Sequence, residues 1–530
     1  MNYLKSGFES RLLCRLCILA LMFTLIMFGL MVGAEAGPTF TIREFLLEGN
    51  TIFHDDRLMK AVVPYVGENK NSEDVEKARA ALEKYYHENG YPTVLVNIPE
   101  QTVESGVIRL EIIESKIRRV KVSGNRYFTR EGLLREMPSF LPGEILYLPR
   151  VKEELARVNR NPDLKVAPIL SPGKKLGTID VEFRVKDKLP LHGELEFNNR
   201  STHTTTDYRL NGMLRYDNLW QKEHSVVLQY QTSPEDTDEV RLITGSYGLP
   251  SPFNPDHLLT LYGLWSDSET ATAGDITVVG EGQIFGFRYQ MPLTSFESYI
   301  HELTLGLDYK DFDDVVADEI STPIRYLPLS VLYTAVIPDG YGQTGLSLGL
   351  DFNLRQAGSD EEDFESKRSS SNGNYFIAKA NLQRDQKLPW GMRLFASADF
   401  QWTDQALISN EQYIAGGVSS VRGYKENEAS GDTAWHATAE LQAPDFGRSL
   451  NVSKWFECVP YLFYDYAYLR QIDALEGEDS KSRLAGAGVG ARGYLLRWFE
   501  YQVEWAQALK DTEDIESGDN LFHFIVKFKF

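Results

Sequence analysis

The residues with the most distinctive chemistry lie in a glycine-rich segment late in the chain. Residues 416–424 read Gly-Gly-Val-Ser-Ser-Val-Arg-Gly-Tyr, so Arg422 stands among residues that permit a tight backbone. Residues 463–465 read Phe-Tyr-Asp, and in a strand Phe463 and Asp465 would point the same way. Arginine can donate two parallel hydrogen bonds to one carboxylate. The chemistry on offer is charge-assisted hydrogen bonding, with an ordinary glycine-rich loop and a solvated aspartate as the alternative.

Motifs of hydrolases and of metal sites do not explain this chain. It contains no H-E-x-x-H pair and no P-loop. Its nine histidines are scattered without metal-ligand spacing. We therefore expect no enzymatic activity, no metal and no cofactor. A net charge of −21 also argues against nucleic-acid binding, which needs a surplus of lysine and arginine.

The elements that must position these residues follow a period of two. Residues 191–198 read Leu-His-Gly-Glu-Leu-Glu-Phe-Asn, and residues 302–309 and 392–402 alternate in the same way. Alternation of this kind predicts strands with one apolar and one polar face. Counting such segments up to residue 530 gives sixteen. An even number is what single-chain outer-membrane barrels require.

The connections between these segments also alternate in kind. Short ones such as 217–224 and 386–391 take turns with long acidic ones such as 355–374 and 469–482. Aromatic residues at many strand ends favour a membrane barrel over a soluble β-sandwich or propeller. A hydrophobic share of 42% with a mean hydropathy of −0.31 excludes a polytopic helical membrane protein. The sequence therefore predicts an antiparallel barrel.

A repeat of about seventy-five residues precedes the barrel segment. Gly49-Asn50 and Gly124-Asn125 each precede a helical pattern and follow a strand-like stretch, over residues 40–47 and 117–122. Gly-Asn supplies the positive-φ turn that ends a strand. Each copy continues with two helices and two strands, so the predicted unit is β-α-α-β-β and the module is duplicated.

This order resembles the POTRA domain of outer-membrane secretion and assembly barrels. Tyr91, Pro92, Pro99 and Gln101 resemble positions in the first POTRA of two-partner secretion transporters. The resemblance implies that this segment captures extended substrate by strand addition or in a groove; the alternative is that the modules only space the barrel. The implied domains are 37–115 (POTRA 1), 116–189 (POTRA 2) and 190–530 (a 16-stranded antiparallel transmembrane β-barrel).

The segment Val421-Arg422-Gly423-Tyr424 resembles a signature of the POTRA-barrel superfamily. In that superfamily the loop folds back into the barrel, and its arginine meets an aspartate on the inner wall. Here the loop is 403–432, between predicted strands eleven and twelve, and Phe463 and Asp465 fall on strand thirteen. The resemblance implies that Arg422 and Asp465 form a loop–barrel pin.

The resemblance implies an outer-membrane transporter that passes a large unfolded exoprotein, haemolysin-like or adhesin-like, without ATP. The alternatives are an outer-membrane assembly and insertion factor, which usually has three or more POTRA modules, and a passive porin-like barrel. The expected partners are the secreted exoprotein, outer-membrane lipid and lipopolysaccharide, and the barrel-insertion machinery. The POTRA modules would lie in the periplasm and the protein would be a monomer.

The two ends of the chain carry targeting patterns. Basic residues, the apolar run 16–32 and Ala34-Glu35-Ala36 predict a signal peptide over 1–36, with an uncleaved anchor as the alternative. Because the first POTRA strand begins near Phe40, no plug helix is expected, and loop 403–432 would close the resting pore. Phe528 and Phe530, in an alternating final segment, resemble the signal read by the barrel-insertion machinery.

Overall fold

The computed structural model describes residues 39–530 except 104, 269, 274–275, 280, 296–298, 317–319 and 475–478. The predicted signal peptide, residues 1–36, lies outside the described residues. The chain divides after Asp187 into two compact units. No helix in the described part of the chain is long and apolar enough to cross a membrane.

The N-terminal unit begins with a module in which two helices pack on a three-stranded sheet of order β2-β5-β4. The strand expected over 40–47 is divided: β1 pairs with β3, whereas β2 runs parallel to β5. Asn71 caps α2 by accepting the N–H groups of Glu73 and Asp74, as its position before the helix predicts. The elements are β1 (Phe40–Ile42), β2 (Glu44–Glu48), α1 (Asp55–Val62), β3 (Gly67–Lys70), α2 (Ser72–Glu88), β4 (Val94–Asn97) and β5 (Val107–Glu114).

The second module of this unit has the predicted order of elements. Its sheet has the order β6-β8-β7, with β6 parallel and β7 antiparallel to β8. The apolar faces of both helices and of the sheet share one core around Phe140 and Phe183. The elements are β6 (Lys116–Ser123), α3 (Arg130–Glu136), α4 (Leu148–Val158), β7 (Leu164–Pro172) and β8 (Thr178–Asp187).

Each module contains the same type of turn, and this turn explains why Gly-Asn is repeated in the sequence. Gly49 and Gly124 have φ angles of 90° and 85°, and a Cβ at either would overlap a carbonyl of the last strand of its module. The side chains of Asn50 and Asn125 each donate to the carbonyl three residues on, at 3.0 and 2.9 Å. The repeat in sequence is therefore a repeat of backbone geometry.

An acidic residue at the end of the last strand completes each turn. Glu114 accepts the N–H groups of residues 51 and 52, both at 2.9 Å. Asp187 accepts those of residues 126, 127 and 128 at 2.8, 2.6 and 3.0 Å. Each carboxylate therefore satisfies backbone donors that the turn leaves without a partner.

The C-terminal unit is a closed antiparallel barrel, and its sixteen strands confirm the predicted number. The last strand pairs with the first, so the sheet has no free edge. The barrel strands are β9 (Leu191–Asn198), β10 (Arg209–Leu219), β11 (His224–Thr232), β12 (Arg241–Pro250), β13 (Leu258–Asp267), β16 (Gly282–Pro292), β17 (Ile300–Val316), β18 (Ile320–Asp339), β19 (Gly342–Gly358), β20 (Phe376–Lys387), β21 (Arg393–Trp402), β24 (Thr433–Gln442), β25 (Val459–Arg470), β26 (Lys481–Leu495), β27 (Phe499–Ala508) and β28 (Asn520–Lys529).

Successive residues of a barrel strand alternate between lumen and exterior. Along β25, Tyr461, Phe463 and Asp465 are 3%, 5% and 0% exposed, whereas Leu462 and Tyr464 are 56% and 48% exposed. The exterior residues are those that would face lipid in a membrane. Phe463 and Asp465 therefore share the luminal face, which is the parity expected from the sequence.

The end of the barrel at which β9 terminates, termed the distal end, carries the longest connections. Among them are 359–375, which contains α5 (Glu361–Lys367), and 403–432, which contains the paired β22 (Tyr413–Ala415) and β23 (Ala429–Gly431). The hairpin of β14 (Thr270–Ala273) and β15 (Ile276–Val279) is also distal. The connections at the other, proximal end include α6 (Phe446–Ser449). Single 3₁₀ turns occur at Val63–Tyr65, Pro138–Phe140, Pro389–Gly391 and Ser409–Glu411.

Candidate functional site

The glycine-rich loop between β21 and β24 runs back into the barrel lumen. Arg422 is only 4% exposed, and Val421 and Tyr424 are fully buried. The Tyr424 hydroxyl donates to the carbonyl of Lys510 at 2.8 Å and accepts its N–H at 3.2 Å. A surface loop without such contacts would leave these side chains in water. The loop is thus part of the interior of the barrel.

Arg422 and Asp465 are in direct contact. The Arg422 Nε lies 2.7 Å from Asp465 Oδ2 and its Nη2 lies 2.8 Å from Oδ1, which is a bidentate fork. The backbone N–H of Arg422 donates to the same carboxylate at 3.1 Å. The Thr438 hydroxyl lies between the two, accepting from Arg422 and donating to Asp465. Both the backbone and the side chain of Arg422 are therefore positioned by one aspartate.

Two further carboxylates meet the same guanidinium. Arg422 Nη1 donates to Glu440 on β24 and to Glu504 on β27, each at 2.8 Å. Arg492 also binds Glu440, at 2.6 Å, and Tyr461 donates to Glu504 at 2.7 Å. Sequence reasoning missed both glutamates because they are ordinary polar residues of alternating strands, without a local motif. Only the barrel topology brings β24, β25 and β27 to one point.

Phe463 provides the floor of the site. The guanidinium carbon of Arg422 lies 3.6 Å from the centroid of the Phe463 ring. At this distance the positive charge faces the electron-rich ring, a cation–π contact. The Phe-Tyr-Asp segment thus supplies a ring and a carboxylate on one face, while Tyr464 lies on the outside of the barrel.

Glycines on β26 make room for the loop. Gly486 and Gly488 have the same parity and lie opposite Asp465 and Phe463 in the strand register. A Cβ at Gly486 would overlap the carbonyl oxygen of Arg422, and one at Gly488 would overlap the Phe463 ring. The loop backbone can therefore approach this wall only because the side chains are missing.

The loop is also held at the opposite wall. Glu411 accepts from Lys310 Nζ at 2.5 Å and from the Tyr326 hydroxyl at 2.7 Å. These partners lie on β17 and β18, whereas the partners of Arg422 lie on β24, β25 and β27. The loop therefore spans the lumen between two anchored points.

A second arginine–aspartate pair joins the distal connections. Arg368, just after α5, binds both carboxylate oxygens of Asp432, which is fully buried at the end of the loop. Asp432 also accepts the backbone N–H groups of Leu407 at 3.0 Å and Ile472 at 2.7 Å. Three connections, 359–375, 403–432 and 471–480, thus meet at one carboxylate.

The structure places the POTRA residues predicted to bind substrate in two structural roles. The ring of Tyr91 packs against Phe53 (5.6 Å between centroids) and against Tyr147 of the second module (5.1 Å), and burial raises its pKa. Pro92 lies in the turn between α2 and β4. Tyr91 is therefore part of the joint between the two modules.

Gln101 extends the sheet of the first module with its side chain. Its amide donates to the carbonyl of Arg109 at 2.9 Å and accepts the Arg109 N–H at 2.7 Å. Continuing the register from Asn97 and Glu111 would place Pro99 opposite Arg109, but proline has no N–H to give. The side-chain amide of Gln101 makes the pair of hydrogen bonds to Arg109 that the backbone of Pro99 cannot make. The polar atoms of Gln101 are therefore used within the module.

Phe528 and Phe530 lie at the seam of the barrel. Phe530 exchanges backbone hydrogen bonds with Gly193 at 3.0 and 3.1 Å, and its ring covers this glycine. The ring of Phe528 lies on the face of β28 outside the lumen, and the exposed ring of Phe530, just after the strand, lies on the same side.

One short pattern of the sequence requires a structural reading. Residues 345–349 read Gly-Leu-Ser-Leu-Gly, which matches the serine-hydrolase pattern G-x-S-x-G. That motif needs a sharp strand-to-helix turn to expose its serine. Here the segment lies inside β19 and pairs with both β18 and β20. Ser347 is therefore a strand residue of the barrel wall.

Comparison with known proteins agrees with this architecture. A family model described as haemolysin secretion/activation protein ShlB/FhaC/HecB matches residues 177–493, and a ShlB-type POTRA domain model matches residues 40–115. The chain is 22% identical over 441 residues to the outer membrane transporter CdiB of Dickeya dadantii, covering 77% of this chain and 73% of that protein. It is 22% identical over 454 residues to the heme/hemopexin transporter protein HuxB of Haemophilus influenzae, covering 82% and 77%.

A solved structure has a similar fold over most of the chain. CdiB from Escherichia coli superposes with a TM-score of 0.66 at 19% identity, covering 94% of this chain and 92% of that one. At this level of identity the likeness shows the fold.

Proposed function

We propose a transport function for this chain, which belongs to the haemolysin secretion/activation protein family ShlB/FhaC/HecB. It carries a large unfolded exoprotein across the outer membrane. Membership makes it a two-partner secretion transporter of the outer membrane, with its POTRA modules in the periplasm. The distal end of the barrel is then the cell surface. The exoprotein we propose is haemolysin-like or adhesin-like and forms a β-helix outside.

Transport needs no ATP in this proposal. The sequence contains no P-loop that could hold a nucleotide. The exoprotein would fold once it emerges, and folding outside would bias its diffusion through the lumen. Secretion of a variant exoprotein that cannot fold outside should then fall, while its binding to the POTRA modules continues.

The POTRA modules would capture the exoprotein while it is extended. The edges of the first sheet are β2 and β4, and an extended chain can pair with such an edge by backbone hydrogen bonds. Tyr91 and Gln101 would support this capture indirectly, since the first fixes the joint between modules and the second completes the sheet.

Loop 403–432 would gate the lumen, with Arg422 and Asp465 as the loop–barrel pin. The observation that carries this proposal is the buried contact of one guanidinium with three carboxylates and one ring. Such a contact is costly to break partially, because a lost partner leaves a buried charge uncompensated. A loop held in this way has one preferred position in the lumen.

The remaining partners follow from the location. The exterior of the barrel would contact lipid and, at the distal end, lipopolysaccharide, and the barrel-insertion machinery would read Phe528 and Phe530. We propose a monomer that binds no nucleic acid, in keeping with the net charge of −21.

The test is deletion of this gene followed by comparison of culture supernatants and outer membranes. Loss of one large secreted protein supports the transporter. A broad loss of outer-membrane barrels would instead identify an assembly factor. Complementation with Arg422→Ala should restore the barrel to the membrane but not secretion, and normal secretion by both Arg422→Ala and Asp465→Ala would refute the pin.

A further inference from the structure

The distal end of the lumen has two sides of opposite chemistry. One side is filled by a core of apolar side chains in which α5 contributes Phe364 and loop 403–432 contributes Leu407 and Ile408. The remaining members come from strands β12 to β20 and the connection that follows α5: Leu242, Leu264, Ile284, Phe312, Ile324, Tyr326, Tyr375 and Ile377. A polypeptide leaving on this side would have to separate packed apolar surfaces, which is unfavourable in water.

The other side, formed by β9, β10, β11 and β28, is polar and encloses a cavity of about 290 Å³. The strand register places Glu196, Asn211 and Gln231 side by side on three neighbouring strands. Gln229 lies two residues before Gln231 on the same face of β11. We call these four residues the amide wall, because three of them carry side-chain amides.

Buried acceptors of the amide wall lack partners. Gln231 is only 6% exposed, and its Oε1 has no hydrogen-bond partner among the described residues. The same holds for Asn211 Oδ1 and for Thr244 Oγ1, which lies opposite Gln229 on β12. A buried acceptor without a donor is unfavourable, so the site suits a ligand that brings N–H groups. These oxygens are covered in this structure, and a ligand would reach them once the surrounding side chains move.

Most charges around the cavity are paired with an opposite charge, whereas Arg209 donates to the carbonyl oxygens of residues 206 and 208 at 2.6 and 2.9 Å. Lys527 lies 3.1 Å from Glu194 and 2.5 Å from Glu196, and Arg200 lies 2.9 Å from Glu426 of the loop. Three acidic and three basic residues line the cavity, so they leave no net charge to select a charged solute. The groups left for binding are neutral acceptors and hydroxyls, which recognise a backbone irrespective of side-chain sequence.

We propose that the amide wall is the exit track of the exoprotein and binds its extended backbone. The inference rests on the proposed function and adds the route. Same-face residues of a strand recur every ~6.6 Å, which is also the interval at which an extended polypeptide presents N–H groups on one side. Gln229 and Gln231 therefore match the period of a passing chain.

Polar contacts between loop 403–432 and connection 199–208 close the distal end of the amide wall, and a polypeptide can replace such contacts. They include the pairs Arg200 with Glu426, Lys425 with Asp207 at 3.2 Å, and His203 with Glu428 at 2.7 Å. Hydrogen bonds of this type can be exchanged for others without exposing apolar surface. A larger cavity of about 720 Å³ lies at the opposite wall, but its lining includes Ile284 of the apolar core, so a chain passing there would meet that core.

The test is site-specific photo-crosslinking in cells. Benzoylphenylalanine would replace Gln231 in the amide wall, Tyr230 on the lipid face of the same strand, and Tyr326 in the apolar core, in three separate full-length variants. The probe is the large protein that disappears from the medium of the deletion strain, extended by a stably folded C-terminal domain that stalls its passage. We expect an adduct at position 231 and only background at 230 and 326.

The outcomes separate the two proposals. Should no protein disappear from the medium of the deletion strain, the transporter function itself fails. If a secreted protein disappears but crosslinks at position 326 as strongly as at 231, the exit track is refuted and the transporter function stands. The same conclusion follows if there is no adduct at 231 in a variant that secretes the unextended protein normally. The double variant N211L/Q231L should also lower secretion. Its folding is checked by the mobility of the unboiled sample on a gel, where a folded barrel runs as a separate band.

Discussion

Arg422 shows how one residue can organise several strands. Its guanidinium contacts Asp465, Glu440 and Glu504, and its central carbon lies 3.6 Å from the centroid of the Phe463 ring. The pairing with Asp465 could be anticipated from the resemblance of two short motifs. The two glutamates could not, since nothing in their neighbourhood distinguishes them from other luminal residues.

Arg422→Lys tests whether geometry or charge matters at this site. Lysine keeps the charge but cannot form a planar fork or stack its head on a ring. We expect a folded barrel in the membrane, secretion lowered by about tenfold (~1.4 kcal/mol), and more frequent opening in planar bilayers. Arg448→Lys on the exposed proximal helix α6 is the matched control. Unchanged secretion and conductance in Arg422→Lys would show that charge alone suffices.

Glu411→Gln tests the anchor at the opposite wall. Glutamine can still accept from Tyr326 but loses the ion pair with Lys310, leaving a buried ammonium group uncompensated. Removal of one partner from a buried pair costs up to about 3–5 kcal/mol. We expect larger or more frequent conductance steps than in wild type, with Glu362→Gln on exposed α5 as control. A wild-type current trace would show that Arg422 holds the loop by itself.

At the scale of elements, the sequence predicted strands such as β9 and β21 within one residue, but neither the division of the first strand nor the presence of β3. Arg43 explains the division, because its backbone N–H bonds to the carbonyl of Gly106 at 2.7 Å. The chain thereby changes partners from β3 to β5. A pairing partner sixty residues away leaves no trace in a local alternation of apolar and polar residues.

Gly486→Ala tests the space that β26 provides for the loop. The added methyl group would overlap the carbonyl oxygen of Arg422. Overpacking of this kind costs about 1–3 kcal/mol, and the barrel can avoid it by releasing the loop. We expect intact folding with lowered secretion. Ala487→Gly, at the lipid-facing neighbour, is the control; a wild-type phenotype of Gly486→Ala would place the loop elsewhere during transport.

Asp187→Asn tests the turn that occurs in both POTRA modules, at its copy in the second module. The amide can no longer accept three backbone N–H groups as a charged carboxylate does. Hydrogen bonds to a charged group contribute about 1.5–3 kcal/mol, so the free energy of unfolding of fragment 39–187 in urea should fall by that order. Glu153→Gln on the exposed face of α4 should leave it unchanged. Equal midpoints for both variants would contradict this role for Asp187.

At the scale of the whole barrel, closure depends on a short seam. β28 and β9 share few paired residues, and the side chain of Asn199 continues the ladder beyond them. It donates to the carbonyl of Phe522 at 2.6 Å and accepts the N–H of Phe524 at 2.9 Å. The side chain of Asn199 thus makes the two backbone-type hydrogen bonds that a further strand residue would make.

Asn199→Ala should weaken the seam. Two hydrogen bonds worth about 0.5–1.5 kcal/mol each would be lost. We expect the temperature at which the folded band disappears on gels of unboiled samples to fall, whereas Ser517→Ala in the neighbouring loop should leave it unchanged. An unaltered transition would show that the remaining ladder of β28 and β9 is sufficient.

Strand number, parity and the position of the long loop could be predicted from the sequence, since each depends on local alternation. The contents of the lumen could not. The ring of Phe364 reaches the apolar core from a connection that reads as acidic and solvated. Which loops turn inward depends on partners such as Asp432, which become neighbours only when the barrel is closed.

The anchoring of loop 403–432 has a consequence for biogenesis. Arg422 finds its carboxylates on β24, β25 and β27, and Glu426 finds Arg200 beside β9. The partners of Arg422 lie 18 to 82 residues away, whereas Arg200 lies 226 residues before Glu426, so the full set of contacts needs β9 and β27 together in one closed barrel. We therefore expect a brief stage in assembly at which the new barrel leaks small solutes across the membrane. Rapid docking of the loop would then protect the cell as well as prepare the transporter.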